Sequence, residues 1–452
     1  MRITRTRLAM LAAAGALTLL AAVPPSATAA PKTAPASALA SAPASALASA
    51  RASAPASARA SAPAFAPGAA PQGRPGCAAA KGDCMLGVAK PKAGKARTFT
   101  AKAGLAAPGP GRVAAQKAAA GGIPPGGLTA ADLQDAYKLP SDLLGGGSTI
   151  AVVVPMDTTS AEKDLNTYRA ANGMHVCDAE FPCLRKIDQR GGTTPPPASP
   201  NWTLHTAVGL DMASAACPNC SLLLVEADDD TLASQGAAVD QAVAQGARTV
   251  VVMDGWFPEY EGQDAMAPHF DHPGVAIVAA SGDTGFNGGG HELLPAAYPT
   301  VVAVAGTDLY RDPATRRGWA ETSWRATASG CSLYEKRPSW QREGDCGDRR
   351  TVADVAAVAS DYTPVSAFNS GNGGWVNVSG GPVAPALVGG VYGLAGNPAS
   401  TPAPQRPYTH RRYMFDITSG TNGTCGGSIL CTARTGYDGP SGMGAPNGTG
   451  AF

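Results

Sequence analysis

The chain has 452 residues, a formal net charge of +1 and only 15% charged residues. This length is enough for one large domain or two ordinary domains. The nearly neutral charge argues against nucleic acid or an anionic membrane surface as the main partner.

Residues 1–29 have the three parts of a secretory signal peptide. Three arginines form a basic start, residues 8–23 are apolar, and the small residues 27–29 offer a cleavage site. A signal anchor is the alternative, but the alanine-rich core is weakly hydrophobic and two prolines follow it. No later run is long and apolar enough to cross a bilayer. We therefore predict a secreted protein, extracellular or associated with the cell wall, without stable membrane insertion.

Residues 30–120 are predicted to be a linker of low sequence complexity. Residues 31–75 repeat Ala, Pro and Ser, and residues 76–120 are basic and rich in Ala and Gly. Such segments contain too few large apolar side chains to offset the loss of chain entropy on folding. We predict an extended spacer followed by one folded domain at residues 121–452.

The ten cysteines fall into five close pairs, which favours local disulfides formed in an oxidising compartment. Sequence alone leaves the connectivity open. Cys217 and Cys220 form a CxxC motif, but no second CxxC or paired histidine lies nearby. A structural disulfide is therefore favoured over a redox or zinc site. The pairs are Cys77/Cys84, Cys177/Cys183, Cys217/Cys220, Cys331/Cys346 and Cys425/Cys431.

Regular structure is predicted to begin with a helix through Tyr137, with Thr129 as its N-cap. Short apolar strands then alternate with amphipathic helices, which is typical of a doubly wound α/β domain with a parallel sheet covered on both faces. Ligands of such domains bind beyond the carboxyl ends of the strands. The predicted strands are residues 149–154, 221–225, 249–253, 275–280 and 300–304, and the predicted helices are residues 161–171, 204–216 and 231–245. Residues 305–375 are predicted to be rich in loops, and residues 396–452 to form a glycine-rich tail without obvious helices.

Residues 373–397 combine a strand, a glycine-rich turn and an apolar helix. The strand is predicted at residues 375–378 and the helix at residues 383–394. Pro382 suits the first helical position, where an N–H group would lack a partner. This arrangement is a common mount for a nucleophile, because the turn exposes a side chain and the helix N-terminus favours negative charge. Proline, however, has no nucleophilic group.

Five stretches carry motifs that occur together in one family. Residues 202–227 form a helix-then-strand unit, residues 281–286 read Ser-Gly-Asp-Thr-Gly-Phe, and residues 318–332 form a following loop. Residues 352–355 read Val-Ala-Asp-Val, and residues 416–452 form a glycine-rich end. Over about residues 127–452 the chain resembles the secreted actinobacterial sedolisins, the serine-carboxyl peptidases. The resemblance implies a subtilisin-like α/β/α sandwich around a parallel sheet of about seven strands.

Active sedolisins use a Glu and an Asp four residues apart on one helix face. The two acids relay protons for a Ser in a Gly-Thr-Ser turn. On the register set by Asp211, the resemblance places the catalytic Glu on His205, the catalytic Asp on Gly209 and the Ser on Pro382. Shifting the turn by one residue places the Ser on Gly381, which is not a nucleophile either. Because loss of one member of such a set removes most catalysis, these substitutions predict an inactive site.

Asp283 matches the family's acid of the SGD turn, which stabilises the oxyanion. It is the one catalytic group that the resemblance retains, although an Asp also caps such turns readily. Residues 253–256 depart from the Asn-Ser-Trp/Tyr-Gly pattern of the family. A rebuilt site with His205 as general base and Ser379 or Ser281 as nucleophile is the alternative, but no acid lies one helical turn from the histidine to orient it.

A calcium site near the C-terminus is also implied by the resemblance. Asp416 and Asp438 match the family's two acidic ligands, and Ile417 and Gly436 match residues that donate backbone carbonyls. Hard oxygen ligands from loops suit calcium. Arg434 replaces a usual Gly, and its positive charge would weaken the site. The alternative is two surface acids in a glycine-rich loop.

These observations predict a secreted, monomeric, sedolisin-like pseudopeptidase that binds a peptide or a surface partner. The first alternative is an active serine-type endopeptidase with a rearranged site. The second is a structural cell-envelope protein in which the Ala/Pro/Ser-rich spacer is the functional part.

Overall fold

The predicted folded domain makes up most of the part of the chain that can be described. The predicted signal peptide, nearly all of the predicted linker and the Cys77/Cys84 pair lie outside the described residues. Within the described ranges, no helix is long and apolar enough to span a membrane. The computed structural model describes residues 87–88, 123, 126–286, 288–290, 292–396 and 401–452.

Strands and helices alternate through the first half of the domain, as predicted. The strands are β1 (Gly87–Val88), β2 (Thr149–Pro155), β3 (Leu184–Asp188), β4 (Ser221–Ala227), β5 (Thr249–Val252), β6 (Phe257–Pro258), β7 (Ala276–Ala280), β8 (Leu293–Leu294), β9 (Val301–Arg311), β10 (Trp319–Ser323), β11 (Gly330–Lys336), β12 (Arg349–Val352), β13 (Val355–Val358), β14 (Val365–Asn369), β15 (Gly374–Ser379), β16 (Met414–Phe415) and β17 (Ala445–Pro446). The α-helices are α1 (Ala130–Ala136), α2 (Ala161–Ala171), α3 (Thr203–Ala216), α4 (Leu232–Ala244), α5 (Val383–Ala395) and α6 (Gln405–Thr409).

The central sheet contains seven mutually parallel strands, which confirms the predicted parallel sheet of about seven strands. Six of them run in the order β9-β7-β5-β2-β4-β3, and β13 pairs with β9. β10 continues along β9 in the antiparallel direction. Val152 of β2 lies between Leu224 of β4 and Val251 of β5, and all three are fully buried or nearly so. Helices cover this apolar sheet in a subtilisin-like α/β/α sandwich.

The first helix begins where its cap predicts. The Thr129 side chain accepts a hydrogen bond from the Asp132 backbone N–H, and the Asp132 carboxylate accepts one from the Thr129 N–H. This reciprocal pair satisfies two donors that a helix start leaves without partners. The predicted helix at residues 161–171 is confirmed without change, and the helix after Thr231 also starts from a side-chain cap.

Helix α5 packs closely on α3 and on the sheet because three of its residues are glycines. A Cβ atom on Gly390 would lie 2.6 Å from the Ala216 Cβ of α3. A Cβ on Gly389 would lie 2.3 Å from Val251, and one on Gly393 would lie 2.4 Å from Ile150. The helix axis therefore approaches its neighbours more closely than larger side chains would allow.

The region predicted to be rich in loops contains more strands than the sequence indicates. β9 runs on to Arg311, well past the predicted end at residue 304, and β10 to β14 follow it. The tail also contains the short helix α6, contrary to the prediction of no helix there. Most of these strands are short and pair locally as antiparallel partners, so they lack the continuous apolar runs that mark the parallel strands.

Four of the five predicted disulfides are present, and the fifth pair lies outside the described residues. Each bond joins cysteines that are near neighbours in sequence, as predicted. The CxxC motif forms one of them and is structural, because both of its cysteines are buried. The bonds are Cys177–Cys183, Cys217–Cys220, Cys331–Cys346 and Cys425–Cys431.

A buried ion pair ties the second half of the domain to the sheet. Arg350 Nη2 lies 2.6 Å from Asp354 Oδ2, and both side chains are 0% exposed. Asp354 also accepts hydrogen bonds from the Ala303 backbone N–H and the Tyr408 hydroxyl, each at 2.9 Å. With these donors the carboxylate is well satisfied, which a buried charge requires.

The close packing of α5 predicts that Gly390→Ala destabilises the fold. The added methyl group would press on Ala213 and Ala216, so we expect a loss of about 1–3 kcal/mol in the free energy of unfolding. Urea denaturation followed by circular dichroism measures this loss. Gly146→Ala is the matched control, because no atom lies within 4 Å of its new Cβ. Equal stability of the two variants would contradict the packing argument.

Candidate functional site

The turn before α5 meets the Ser-Gly-Asp turn after β7 at the carboxyl end of the sheet. The backbone N–H of Gly381 donates a hydrogen bond to Asp283 Oδ2 at 2.8 Å. A Cβ atom at position 381 would lie 2.6 Å from the other oxygen of that carboxyl group. Gly380 adopts a left-handed backbone conformation, with φ of +125°, and its N–H donates to the Ala359 carbonyl. The turn is therefore held between the sheet and Asp283.

The resemblance aligns the family's nucleophile with Pro382 or with Gly381, and neither residue has a nucleophilic side chain. Pro382 is the first residue of helical conformation before α5, with φ of −61°, close to its predicted place at the helix start. Gly381 is the residue whose backbone faces Asp283. The serines named as alternatives are both buried, and the Ser281 hydroxyl donates to the Ala328 carbonyl at 2.9 Å.

Helix α3 brings His205 and Gly209 to the same side of the sheet as α5. A Cβ atom on Gly209 would lie 2.6 Å from Val152 Cγ1 and 3.1 Å from Met253 Sδ. Apolar side chains thus fill the space that an acid at position 209 would need. Asp211, on the same helix, is fully buried and accepts the Phe368 backbone N–H at 2.9 Å, so it links α3 to β14.

His205 lies in an environment that disfavours its charged form. It is 2% exposed, and its ring lies 4.8 Å from that of Trp202. Its Nδ1 atom is buried and has no hydrogen-bond partner among the described residues. Burial lowers the pKa of His205 to about 4, so the ring is neutral above that pH. No carboxylate orients it, as a histidine base would require.

Asp254 is a buried acid at the carboxyl end of the sheet. It belongs to residues 253–256, which depart from the family pattern, and the sequence assigned it no role. It follows β5 after one intervening residue, Met253, and β5 pairs with the β7 strand that leads to Asp283. Both of its carboxyl oxygens are buried, and neither has a well-formed hydrogen bond among the described residues. Burial, with the charge of Asp230, raises the pKa of Asp254 well above its usual value. An acid directly after a buried strand was the signal in the sequence.

A second buried acid, Glu292, directly precedes β8 and follows the Ser-Gly-Asp turn in the chain. It is 3% exposed, and a Cβ on Gly330 would lie 2.2 Å from its Oε1. Burial and the nearby charge of Glu259 raise the pKa of Glu292 to about 8, although Arg350 opposes the shift. Sequence reasoning missed this residue, because its environment is built by segments far apart in the chain.

The strand that leads into the turn has a short partner on its outer edge. β1 pairs with β15 in the antiparallel direction, with Gly87 opposite Ser379 and Val88 opposite Val378. The other edge of β15 is paired with β14. An extended stretch of chain thus lies along β15 directly beside the Gly380-Gly381 turn.

The four residues predicted to hold calcium lie close together near the C-terminus. Asp416 accepts the Gly436 backbone N–H at 2.9 Å. Ser441 donates its hydroxyl to Asp438 Oδ1 at 2.7 Å and contacts the Ile417 carbonyl at 3.5 Å. Burial chiefly raises the pKa of Asp438 to about 7, and the charge of Asp416 adds to the shift. Two mutually repelling carboxylates beside a backbone carbonyl fit a hard cation.

Arg434 stands where the family usually has a glycine. Its charged guanidinium group contacts Gly427 instead of the two acids. Its backbone N–H donates to Asp438 Oδ2 at 2.7 Å, while its guanidinium donates to the Gly427 carbonyl. The charge is therefore engaged elsewhere, and the donor set remains suited to calcium. Among the described residues, no group of three or more His, Cys, Asp or Glu side chains is placed to hold a metal ion.

Kumamolisin and sedolisin are similar to the chain in sequence. Kumamolisin of Bacillus sp. (strain MN-32) is 26% identical over 357 residues, which cover 72% of this chain and 63% of the relative. Sedolisin of Pseudomonas sp. (strain 101) is 25% identical over 349 residues, which cover 68% of this chain and 58% of the relative. The chain thus spans about three fifths of their lengths. No protein-family model matches the chain.

The fold is also similar to that of a solved peptidase. The structure of Pseudomonas sedolisin, a serine-carboxyl proteinase complexed with two molecules of pseudo-iodotyrostatin, matches with a TM-score of 0.60 and 22% identity. The match covers 71% of this chain and 95% of the solved chain. At this identity the likeness establishes the fold alone.

The environment of Glu292 predicts that the protein loses stability as the pH rises. Because the folded-state pKa is about 8, above the unfolded value, the folded protein binds this proton more tightly than the unfolded chain does. The stabilisation is complete below the unfolded pKa and declines as the pH rises through the folded pKa. Between pH 5 and pH 8, we expect wild type to lose about 1–3 kcal/mol more unfolding free energy than Glu292→Gln.

Urea denaturation at the two pH values measures this difference. Glu261→Gln is the control, because Glu261 is exposed and belongs to the same region of the chain. We expect the control to keep the wild-type pH dependence. An identical pH dependence in Glu292→Gln and wild type would rule out the buried proton.

Proposed function

Because the chain belongs to the sedolisin family, we propose that it is a secreted member that binds an extended peptide without cleaving it. The single observation that carries the proposal is the contact between Gly381 and Asp283. At the place where a nucleophile would stand next to the oxyanion acid, a glycine N–H donates directly to that acid. There is no side chain at this position to attack a carbonyl.

The two positions of the proton relay support the same conclusion. Gly209 has no side chain, and Val152 and Met253 occupy the space around it. His205 is neutral above about pH 4 and is not oriented by a carboxylate. A relay needs groups that both exchange protons and contact each other, and neither condition is met here.

Peptide binding is supported by the strand pairing at the turn. The outer edge of β15 accepts the extended residues Gly87 and Val88 through backbone pairing. Strand edges of this kind bind peptides through their main chain, with limited dependence on sequence. A peptide that binds to this edge would replace residues 87–88 and would pass beside the Gly381 turn and Asp283.

Secretion is supported by the disulfides and by the predicted signal peptide. Four disulfides close short loops of the domain. Such bonds persist in oxidising compartments outside the cytoplasm.

The proposal predicts that the purified protein does not cleave peptides. We expect no cleavage of a peptide library between pH 3 and pH 8, and no covalent capture by a peptide aldehyde, because no nucleophile lies at the turn. Mass spectrometry measures both results. An active sedolisin-family peptidase in the same buffers is the positive control. Cleavage that disappears in Asp283→Asn or His205→Ala would overturn the proposal in favour of a rearranged active site.

Binding is tested on the same protein with fluorescein-labelled extended peptides. Fluorescence anisotropy should detect binding by wild type, and Gly381→Ala should weaken it by about tenfold because the new Cβ disturbs the contact with Asp283. Gly146→Ala, far from any packed atom, serves as the control. Absence of binding by wild type would leave the peptide proposal without support, whatever the cleavage result.

We further propose that Asp416, Asp438 and the Ile417 and Gly436 carbonyls bind one calcium ion. Support comes from the proximity of the two acids and from the guanidinium of Arg434, which is engaged by Gly427. A bound calcium ion would neutralise the repulsion and join the loops at the C-terminus. A ligand that binds only the folded state raises the melting temperature.

The calcium proposal predicts a higher melting temperature in calcium than in a chelator. We expect this shift to be lost in Asp416→Asn. The Asp416 side chain is exposed, so misfolding of the variant would not explain the loss. Asp438→Asn should behave in the same way, whereas Asp142→Asn, at an exposed site elsewhere, should keep the shift. Differential scanning calorimetry measures it. An equal wild-type melting temperature in calcium and in chelator would contradict the proposal.

A further inference from the structure

A pocket of about 220 Å³ lies at the amino end of the sheet. It is lined by Thr149, Thr249 and Ala276, which stand at the starts of three neighbouring parallel strands, β2, β5 and β7. The carboxyl end of α5 forms its wall at Gly396. The Gly381 turn stands at the opposite end of this helix, about 20 Å away for 13 residues. The pocket is therefore separate from the candidate peptide site.

Two arginines bring positive charge to the pocket. Arg248 precedes β5 and is exposed, whereas Arg406 of α6 is half-buried. Across the described part of the chain, neither guanidinium has an ion pair or a side-chain hydrogen bond. The Arg406 Nε atom is buried without any partner. A buried donor of a charged group that lacks an acceptor is costly, so an acceptor from outside the chain would stabilise it.

The remaining lining is free of negative charge and supplies hydroxyl groups. No Asp or Glu lines the pocket, whereas Ser148, Thr149, Thr249 and Thr401 do. Hydroxyls donate hydrogen bonds readily to oxyanions, and guanidinium groups match the geometry of carboxylate and phosphate oxygens. The donors thus outnumber the acceptors that the side chains offer.

The carboxyl end of α5 offers another partner for an arginine, because helix carbonyls carry partial negative charge there. That contact is not formed. The Gly396 N–H closes the helix onto the Tyr392 carbonyl, and the Tyr392 hydroxyl donates to the Ala403 carbonyl. Arg406 Nε donates to none of these groups. Capping of the helix therefore does not account for the arginine.

We propose that this pocket binds a small molecule through an oxyanion, either a phosphate or a carboxylate group, held between Arg248 and Arg406. The volume suits a small molecule and not a folded partner. Binding would join α6 and the end of α5 to the starts of β2, β5 and β7. The pocket and the candidate peptide site lie at opposite ends of α5, so the two sites can be tested separately.

Isothermal titration calorimetry and thermal unfolding of the full chain test this proposal. Inorganic phosphate and citrate are the two probes, with sodium chloride at equal ionic strength as the reference. We expect saturable binding of at least one probe, and the tighter one identifies the group. Arg406→Gln and Arg248→Gln should each weaken that binding by about tenfold, because each removes a charge-assisted hydrogen bond. Arg411→Gln, an exposed arginine outside the pocket, should keep wild-type affinity.

Loss of saturable binding in the two pocket variants alone supports the proposal. It is overturned if neither probe binds wild type saturably, or if binding is equal in all three variants. Arg248 is exposed, so its variant tests the pocket even if Arg406→Gln fails to fold. Peptide binding should be unchanged in Arg248→Gln, which separates this result from the outcome for the β15 edge.

Discussion

The close approach of α5 to α3 and to the sheet is the constraint on which the rest of the domain depends. Gly389, Gly390 and Gly393 leave no space for side chains between this helix and its neighbours. The helix therefore has one position along the sheet. That position sets its amino end beside the Asp283 turn and its carboxyl end above the arginine pocket. Both candidate sites result from the same packing, at opposite ends of one buried helix.

The same tight packing leaves no space for larger side chains at two positions near the Asp283 turn. Val152 and Met253 fill the space beside Gly209, and the carboxyl group of Asp283 lies against Gly381. The apolar core thus occupies the space that a side chain at position 209 would need. Asp254 and Glu292 are buried acids near that edge, and burial raises the pKa of both carboxyl groups.

Local signals in the sequence were sufficient for the parallel half of the fold. Continuous apolar runs predicted β2, β4, β5 and β7, and the Thr129 cap predicted the start of α1. The antiparallel strands after residue 305 were missed, because these short strands lack the continuous apolar runs that mark the buried parallel strands. The sequence likewise does not reveal the Arg350–Asp354 ion pair in this region, because the buried Asp354 carboxylate also needs hydrogen bonds from Ala303 and Tyr408.

The sequence by itself determined the resemblance to sedolisins, the residue types at the positions that this resemblance aligns, and the close pairing of the cysteines, because these depend only on which residues occur and in what order. The tertiary structure alone decided which backbone group faces Asp283, that no space exists at Gly209, and that the buried His205 Nδ1 has no hydrogen-bond partner among the described residues. It also brought Arg248 and Arg406, far apart in the chain, to one pocket. Distance, burial and missing partners are properties of packed segments, and a linear pattern does not contain them.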